Sequence, residues 1–228
     1  MKVLIVEDEK DFAAEIDSFL TKEGYQCEVA HTGEAASEKI FVSAYDFILL
    51  DLGLPDYDGF DLLQEAKEEG QIASFIVLTA RGATGDKIKG LNMGADDYLP
   101  KPFSLLELAS RMNAITRRKH GLVKNTIKIH DFEMDIQNRT VLCGKEIVPV
   151  TKKEFDLLHY LALHKNKVLT RMQLTEHIWG DILEDDYDSN YIDVHVKNLR
   201  KKLAASGNCD WLETVRGIGY RISIQPQE

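Results

Sequence analysis

The stretch FILLDLGLPDYDGF, residues 47–60, constrains this chain most. Four apolar residues, Phe47 to Leu50, run without a break into one acid, Asp51, and a turn built from Gly53, Pro55, Asp56, Asp58 and Gly59 follows at once. A short unbroken apolar run bounded by turn residues predicts a strand buried on both faces, as in a parallel sheet. Asp51 then stands at the strand's carboxyl end, the edge at which open α/β sheets bind their ligands. Taken alone, the same acid serves equally well as a cap of the following turn, so the rest of the chain must decide.

The flanking pattern favours a site. Residues 2–6 predict a first strand, and 10–23 a helix with Phe12, Ile16, Phe19 and Leu20 on one face, closed by Gly24. Strands at 27–30, 75–79 and 97–100 follow, with helices at 33–43 (Ala36, Ile40 and Phe41 inward), 60–69, 84–93 and 104–119. Five such units predict an α/β doubly wound five-stranded parallel sheet over residues 1–119. Right-handed crossovers bring all its strand ends to one edge. The first strand ends in Glu7 and Asp8, the third in Asp51, the fourth in Thr79, and the fifth runs into Lys101. Like charges held at ~4 Å and an effective dielectric of ~20 repel by roughly 4 kcal/mol per pair. A hard, oxygen-liganded cation such as Mg²⁺ removes that cost.

The second half has another rhythm. Residues 120–125 are polar, contain Gly121 and lose the helical period, which predicts a linker. Short alternating stretches over 126–148, separated by Asp131, Asn138 and Gly144, predict a small antiparallel sheet. Thr151 and Glu154 form a capping-box pattern ahead of a helix with Phe155, Leu158, Leu161 and Ala162 inward, and Thr170 caps a second helix. An acidic loop, 182–189, precedes a third helix at 189–205 that buries Ile192, Val196, Leu199 and Leu203 and carries Lys197, Arg200, Lys201 and Lys202 against the single acid Asp193. Residues 211–222 read as a hairpin bearing Arg216 and Arg221 around Gly217 and Gly219. Two helices, a basic third and a trailing hairpin predict an α+β winged helix-turn-helix over 126–228 and a partner in duplex DNA. A basic helix taken alone reads equally as a solvated face.

Composition excludes several classes. The net charge of −10 argues against indiscriminate nucleic-acid binding, and it is uneven. Residues 1–124 hold 14 Lys and Arg against 22 Asp and Glu, whereas 125–228 hold 14 against 16, as fits two domains with different partners. The apolar runs are too short for a membrane span, and MKVLIVEDEK turns acidic too early for a secretory signal. Cys27, Cys143 and Cys209 are odd in number and widely spaced, which predicts reduced thiols in a cytoplasmic protein.

Residues VEDE at 6–9, LLDLGLPDYDGF at 49–60, LTA at 78–80 and GADDYLPKPF at 94–103 make the first half resemble the CheY-like receiver domain of bacterial two-component response regulators. TKKEFDLLHYL, YIDVHVKNLRKKL and TVRGIGYR make the second half similar to the DNA-binding domain of the OmpR/PhoB type, so the two resemblances cover nearly the whole chain. The resemblance implies that Asp51 accepts a phosphoryl group from a sensor histidine kinase. Asp8, Asp51 and the Gly53 carbonyl then ligate Mg²⁺ with Glu7 acting through water, and Lys101, before a cis Pro102, pairs with the phosphoryl oxygens. It implies a switch in which Thr79 moves toward the phosphate and Tyr98 turns inward. It implies a homodimer through the fourth helix, fifth strand and fifth helix, pairing Lys87 with Glu107, Asp97 with Arg111 and Asp96 with Arg118 around Ile88, Leu91 and Ala109. For promoter DNA, with paired half-sites, it implies contacts from Asn190, Tyr191, His195, Lys197, Asn198, Arg200, Lys201, Thr214 and Arg216, the last in the minor groove. Relatives often place an arginine where Asn198 stands here, and Asn suits adenine N6 and N7, so an A·T preference is expected there. The loop at 180–188 is the part that touches RNA polymerase in relatives, although an acidic loop is also simply well solvated. Asp56 departs from the family's usual loop and is expected to add acid near the site and alter the phosphorylation rate.

Two other readings compete. Aspartyl-phosphate hydrolases also attack through a strand-end Asp, but need a general acid two residues on, where this chain has Gly53. The protein is therefore expected to act as an enzyme only on its own phosphoryl group. A phosphate-independent DNA binder with a degenerate receiver is opposed by the intact Asp8, Asp51, Thr79 and Lys101.

Overall fold

In the computed structural model the described residues are 1–79, 84–180 and 190–224, with the side chains of 84–86 and 190 left aside. The chain divides into two compact units, Met1–Thr116 and Arg117–Glu228.

The first unit alternates strand and helix: β1 (Lys2–Val6), α1 (Lys10–Glu23), β2 (Gln26–Ala30), α2 (Gly33–Val42), β3 (Phe47–Asp51), α3 (Gly59–Glu68), β4 (Ser74–Thr79), α4 (Thr84–Asn92), β5 (Asp97–Pro100) and α5 (Leu105–Lys119). The sheet is parallel in the order β2-β1-β3-β4-β5. Alternate strand residues divide the core in two. Leu4, Val6, Ile48, Leu50 and Val77 pack with Ala36 and Ile40 of α2 and Phe60 and Leu63 of α3. Val3, Ile5, Leu49, Ile76 and Leu78 pack with Ile16 and Leu20 of α1 and Leu108, Met112 and Ile115 of α5. This period of two, with apolar groups on both faces, is why the strands read as unbroken hydrophobic runs.

One inward assignment is corrected: Phe41 is 60% exposed. It follows Ile40 by one residue, about 100° around the helix from the stripe that Ala36 and Ile40 bury. Gly24 ends α1 in the left-handed conformation, φ 96°, as expected of a C-cap.

The second unit contains a four-stranded antiparallel sheet of β6 (Thr126–Ile129), β7 (Phe132–Asp135), β8 (Thr140–Cys143) and β9 (Glu146–Val148). Asp131, Asn138 and Gly144 lie in the turns that separate these strands, as expected; His130, Arg139 and Gly144 take the left-handed conformation there, and Asn138 bonds the Asp135 carboxylate through both its backbone and side-chain nitrogens. Then come α6 (Lys152–Leu163), β10 (Leu169–Thr170), α7 (Arg171–Trp179), α8 (Asn190–Ala204), β11 (Leu212–Val215) and β12 (Gly219–Ile222). Both Thr151 and Thr170 make complete capping boxes, with Glu154 and Gln173.

The two-residue strand β10 is too short to leave a periodic signal, yet it pairs with β12 and gives the hairpin a third strand. Gly219 makes that possible: a Cβ there would lie 1.9 Å from the Leu169 carbonyl oxygen. The acidic loop at 181–189 lies outside the described residues.

Candidate functional site

The strand order reverses direction between β1 and β3, and the carboxyl ends of those two strands hold the acids. Glu7 follows β1 and is 1% exposed; Asp51 ends β3 and is 6% exposed. Asp8 is exposed beside them. Carboxylate oxygens of Glu7, Asp8 and Asp51 lie within 4.8 Å of one another. From the end of β5, Lys101 places Nζ 2.6 Å from Asp51 Oδ2 and 2.7 Å from Glu7 Oε2. Its peptide bond to Pro102 is cis.

Local sequence explains the placement. The Gly53 N–H donates to Asp51 Oδ1 at 2.9 Å, fixing the carboxylate. A Cβ on Gly59 would stand 2.8 Å from the Asp51 carbonyl oxygen, so only glycine lets α3 begin this close to the end of β3. Lys101 lies over the ring of Phe12, 5.0 Å from its centroid, and Phe12 packs edge-on against Phe103. The sequence does not single out either aromatic for the site: Phe12 reads as part of the inward face of the first helix, and Phe103 only as the last residue of the motif GADDYLPKPF.

Electrostatics make the cluster a strained one for anions. Burial raises the Glu7 pKa, although the bonded Lys101 ammonium acts in the opposite sense. Burial also opposes the charge on Lys101, but hydrogen bonds to Asp51 and Glu7 outweigh it and raise its pKa. Three clustered carboxylates and one ammonium leave a net negative, all-oxygen donor set, which fits a hard divalent cation.

Thr79 is buried at the end of β4, and its carbonyl accepts the Lys101 N–H at 2.9 Å. Tyr98 is 2% exposed, more deeply buried than an ordinary half-exposed strand residue. Its ring lies below Gly90 of α4, where an added Cβ would stand 3.6 Å from Tyr98 Cδ2. Asp56, expected to add acid near the site, has both carboxylate oxygens engaged. Its two oxygens accept the Gly33 and Glu34 N–H groups at 2.8 and 3.0 Å, capping α2, and these bonds lower its pKa.

On the face made by α4, β5 and α5, Ile88 is 55% and Leu91 42% exposed, Lys87 and Arg118 are exposed, and Ala109 is half-buried. Leu106, 71% exposed, joins them unforeseen. Within one chain Arg111 already bonds Asp97 at 2.9 Å and Glu107 at 2.7 Å. Asp96 accepts the Phe75 N–H at 2.9 Å.

In the second unit α8 buries Ile192, Val196, Leu199 and Leu203 and exposes Tyr191, Lys197, Asn198 and Lys201. Val194, 53% exposed, lies on the same stripe and was not singled out from the sequence. His195 is half-buried against Trp179 and Tyr191, and burial lowers its pKa. The Asn190 side chain lies outside the described residues.

Arg200, expected at DNA, is held within the second unit. It donates to the Leu212 carbonyl oxygen through Nε at 3.0 Å and Nη2 at 2.6 Å, and to Thr214 Oγ1 at 2.9 Å. Lys202 is likewise engaged, 2.6 Å from the buried Glu154. Arg216 is exposed at the turn between β11 and β12, next to Gly217 with φ 73°. No helix among the described residues is long and apolar enough to cross a membrane.

Comparison with known proteins matches both units. Residues 3–113 match the response regulator receiver domain, and residues 144–222 match the family described as transcriptional regulatory protein, C terminal. The response regulator ArlR of Staphylococcus haemolyticus is 38% identical over 220 residues, covering 96% of this chain and 98% of its own. The two-component response regulator PhoP of Pseudomonas aeruginosa is 36% identical, covering 96% and 97%. Among solved structures, a two-component response regulator from Clostridium difficile is 33% identical with a TM-score of 0.50, covering 52% of this chain and 97% of its own.

Proposed function

The chain belongs to the transcriptional response regulators of the OmpR/PhoB type, a receiver joined to a winged-helix DNA-binding domain, and from that premise we propose that Asp51 is its phosphoryl acceptor and that phosphorylation gates DNA binding. The observation that carries this reading is Lys101, bonded at once to Asp51 and Glu7 beside Asp8.

Phosphoryl transfer asks the protein for positioning and charge compensation more than for covalent chemistry. Asp51 attacks phosphorus as the bond to the histidine nitrogen of a sensor kinase breaks, and the bonding pair returns to the imidazole. The Gly53 N–H holds one Asp51 oxygen, leaving the other facing Lys101. Lys101 exchanges its Asp51 contact for the incoming phosphoryl oxygens and so compensates charge where it accumulates. Asp8, Asp51 and the Gly53 carbonyl would hold Mg²⁺, with Glu7 acting through water; the ion supplies further charge neutralisation when bound. Thr79 donates to the phosphoryl group, and Tyr98 adjusts beneath α4. The only enzymatic activity assigned is self-directed: transfer onto Asp51 and its later hydrolysis.

Phosphorylation favours a homodimer through α4, β5 and α5, with Ile88, Leu91 and Ala109 at the centre and Lys87, Asp96, Asp97, Glu107, Arg111 and Arg118 setting register. The dimer engages promoter DNA at paired half-sites. Lys197 and Lys201 hold phosphates, Asn198 reads an A·T pair, and Arg216 enters the minor groove. RNA polymerase is the proposed partner of the loop at 180–188, and the cytoplasm the proposed location. Incubation with acetyl phosphate and Mg²⁺ tests the gate: a mass gain confined to Asp51 and tighter DNA binding are expected. No mass gain on a folded protein rejects it.

A further inference from the structure

A helix in the major groove and a hairpin tip in the minor groove must be held at a fixed separation, because both read one rigid duplex. The hairpin of β11 and β12 has four residues per strand and gains only the two-residue β10 as a third, and so small a sheet has little stiffness alone. Its angle to α8 is therefore set by what ties it down.

Two residues of α8 provide the tie. Asp193 and Arg200 stand seven apart, two turns along one side of the helix. Asp193 accepts from the Tyr220 hydroxyl of β12 at 2.6 Å and from Arg171, at the start of α7, at 2.8 and 3.2 Å. Arg200 reaches the Leu212 carbonyl oxygen and Thr214 of β11. The Tyr220 ring is buried and accompanied by both guanidiniums, at 5.2 Å from Arg171 and 5.7 Å from Arg200. This accounts for an acid on a helix that meets phosphates: its charge is spent on Arg171 and Tyr220.

We propose that Asp193, Tyr220, Arg171 and Arg200 form a clamp of positioning residues that sets the distance from the reading face of α8 to the hairpin tip, coupling the Arg216 contact to the α8 contacts. The proposal rests on the DNA-contact reading given above for Asn198 and Arg216. The clamp residues themselves need touch no base.

The test uses the phosphorylated full chain and the duplex it selects from a randomised library. Arg216→Ala and Asn198→Ala are each measured in the wild-type and the Tyr220→Phe background, the latter checked for folding by its thermal transition. In the wild-type background each substitution weakens binding about tenfold. In Tyr220→Phe the Arg216→Ala effect falls to about twofold or less while the Asn198→Ala effect persists. A general loosening of the fold would shrink both effects together and overturn the proposal, as would an undiminished Arg216→Ala effect. Should Arg216→Ala be silent even in the wild-type background, the minor-groove contact itself is rejected. If Tyr220→Phe does not fold, Asp193→Asn, which keeps side-chain size, takes its place with the same outcomes.

Discussion

Lys101 and Glu7 form an ion pair of 2.7 Å in which the acid is 1% and the base 20% exposed. Removing the base leaves a buried carboxylate without its counter-charge. Lys101→Ala is expected to cost about 3 kcal/mol of stability by denaturant titration. It should also slow phosphoryl incorporation on Asp51 at least about a hundredfold, the usual scale for losing a charge-stabilising group.

Cation binding to the acid cluster should register without any turnover. Mg²⁺ at ten times its dissociation constant is expected to stabilise the wild-type chain by about 1.4 kcal/mol, seen as a raised thermal midpoint. Asp8→Asn should abolish that rise, since it removes one ligand while leaving the fold intact. A rise of equal size in the variant would place the cation elsewhere.

The engagement of Arg200 with β11 separates two kinds of basic residue on α8. Lys197→Ala and Lys201→Ala, both exposed, should each lower the slope of log affinity against log salt by about 0.9, as phosphate contacts do. Arg200→Ala should leave that slope alone and instead lower the thermal stability of the second unit, because it strips a buried carbonyl, Leu212, of its side-chain donor.

Acid sensitivity should come partly from a cluster far from Asp51 in sequence. Burial works against ionisation of Glu28, but hydrogen bonds from Lys2, Lys39 and Tyr45 outweigh it and hold its carboxyl at about 2. A depressed carboxyl contributes stability that is complete above its ordinary value of about 4.5 and is lost as pH falls toward 2. A contribution of about 3 kcal/mol is expected to vanish across that window, and Glu28→Gln should flatten this arm of the stability profile.

The dimer face gives a prediction independent of stability. Ile88→Asp, at a side chain 55% exposed, should leave thermal unfolding of the unphosphorylated chain unchanged. It should abolish the dimer formed on phosphorylation, read by sedimentation. A dimer that persists would move the interface away from α4.

What the chain's own order of residues determined is the architecture and the inventory of reactive groups. Buried parallel strands advertise themselves as apolar runs, and helices as a 3.6-residue stripe, because each must hide one or both faces from water. Strand ends share an edge by topology alone, so Asp51, Glu7, Asp8, Thr79 and Lys101 could be gathered before any coordinates. The tertiary structure decided which polar groups are already occupied. Arg200 reads from the sequence as one more cation on a basic helix, and only the fold shows that Leu212 and Thr214, twelve and fourteen residues on, bond it. Asp56 reads from the sequence as one more loop acid, and only the fold shows that the amides of Gly33 and Glu34 bond it. Such partners come from separate elements and leave no period in the sequence. A hydrogen bond depends on direction and distance to within a fraction of an ångström, whereas burial depends only on which side of an element a residue occupies.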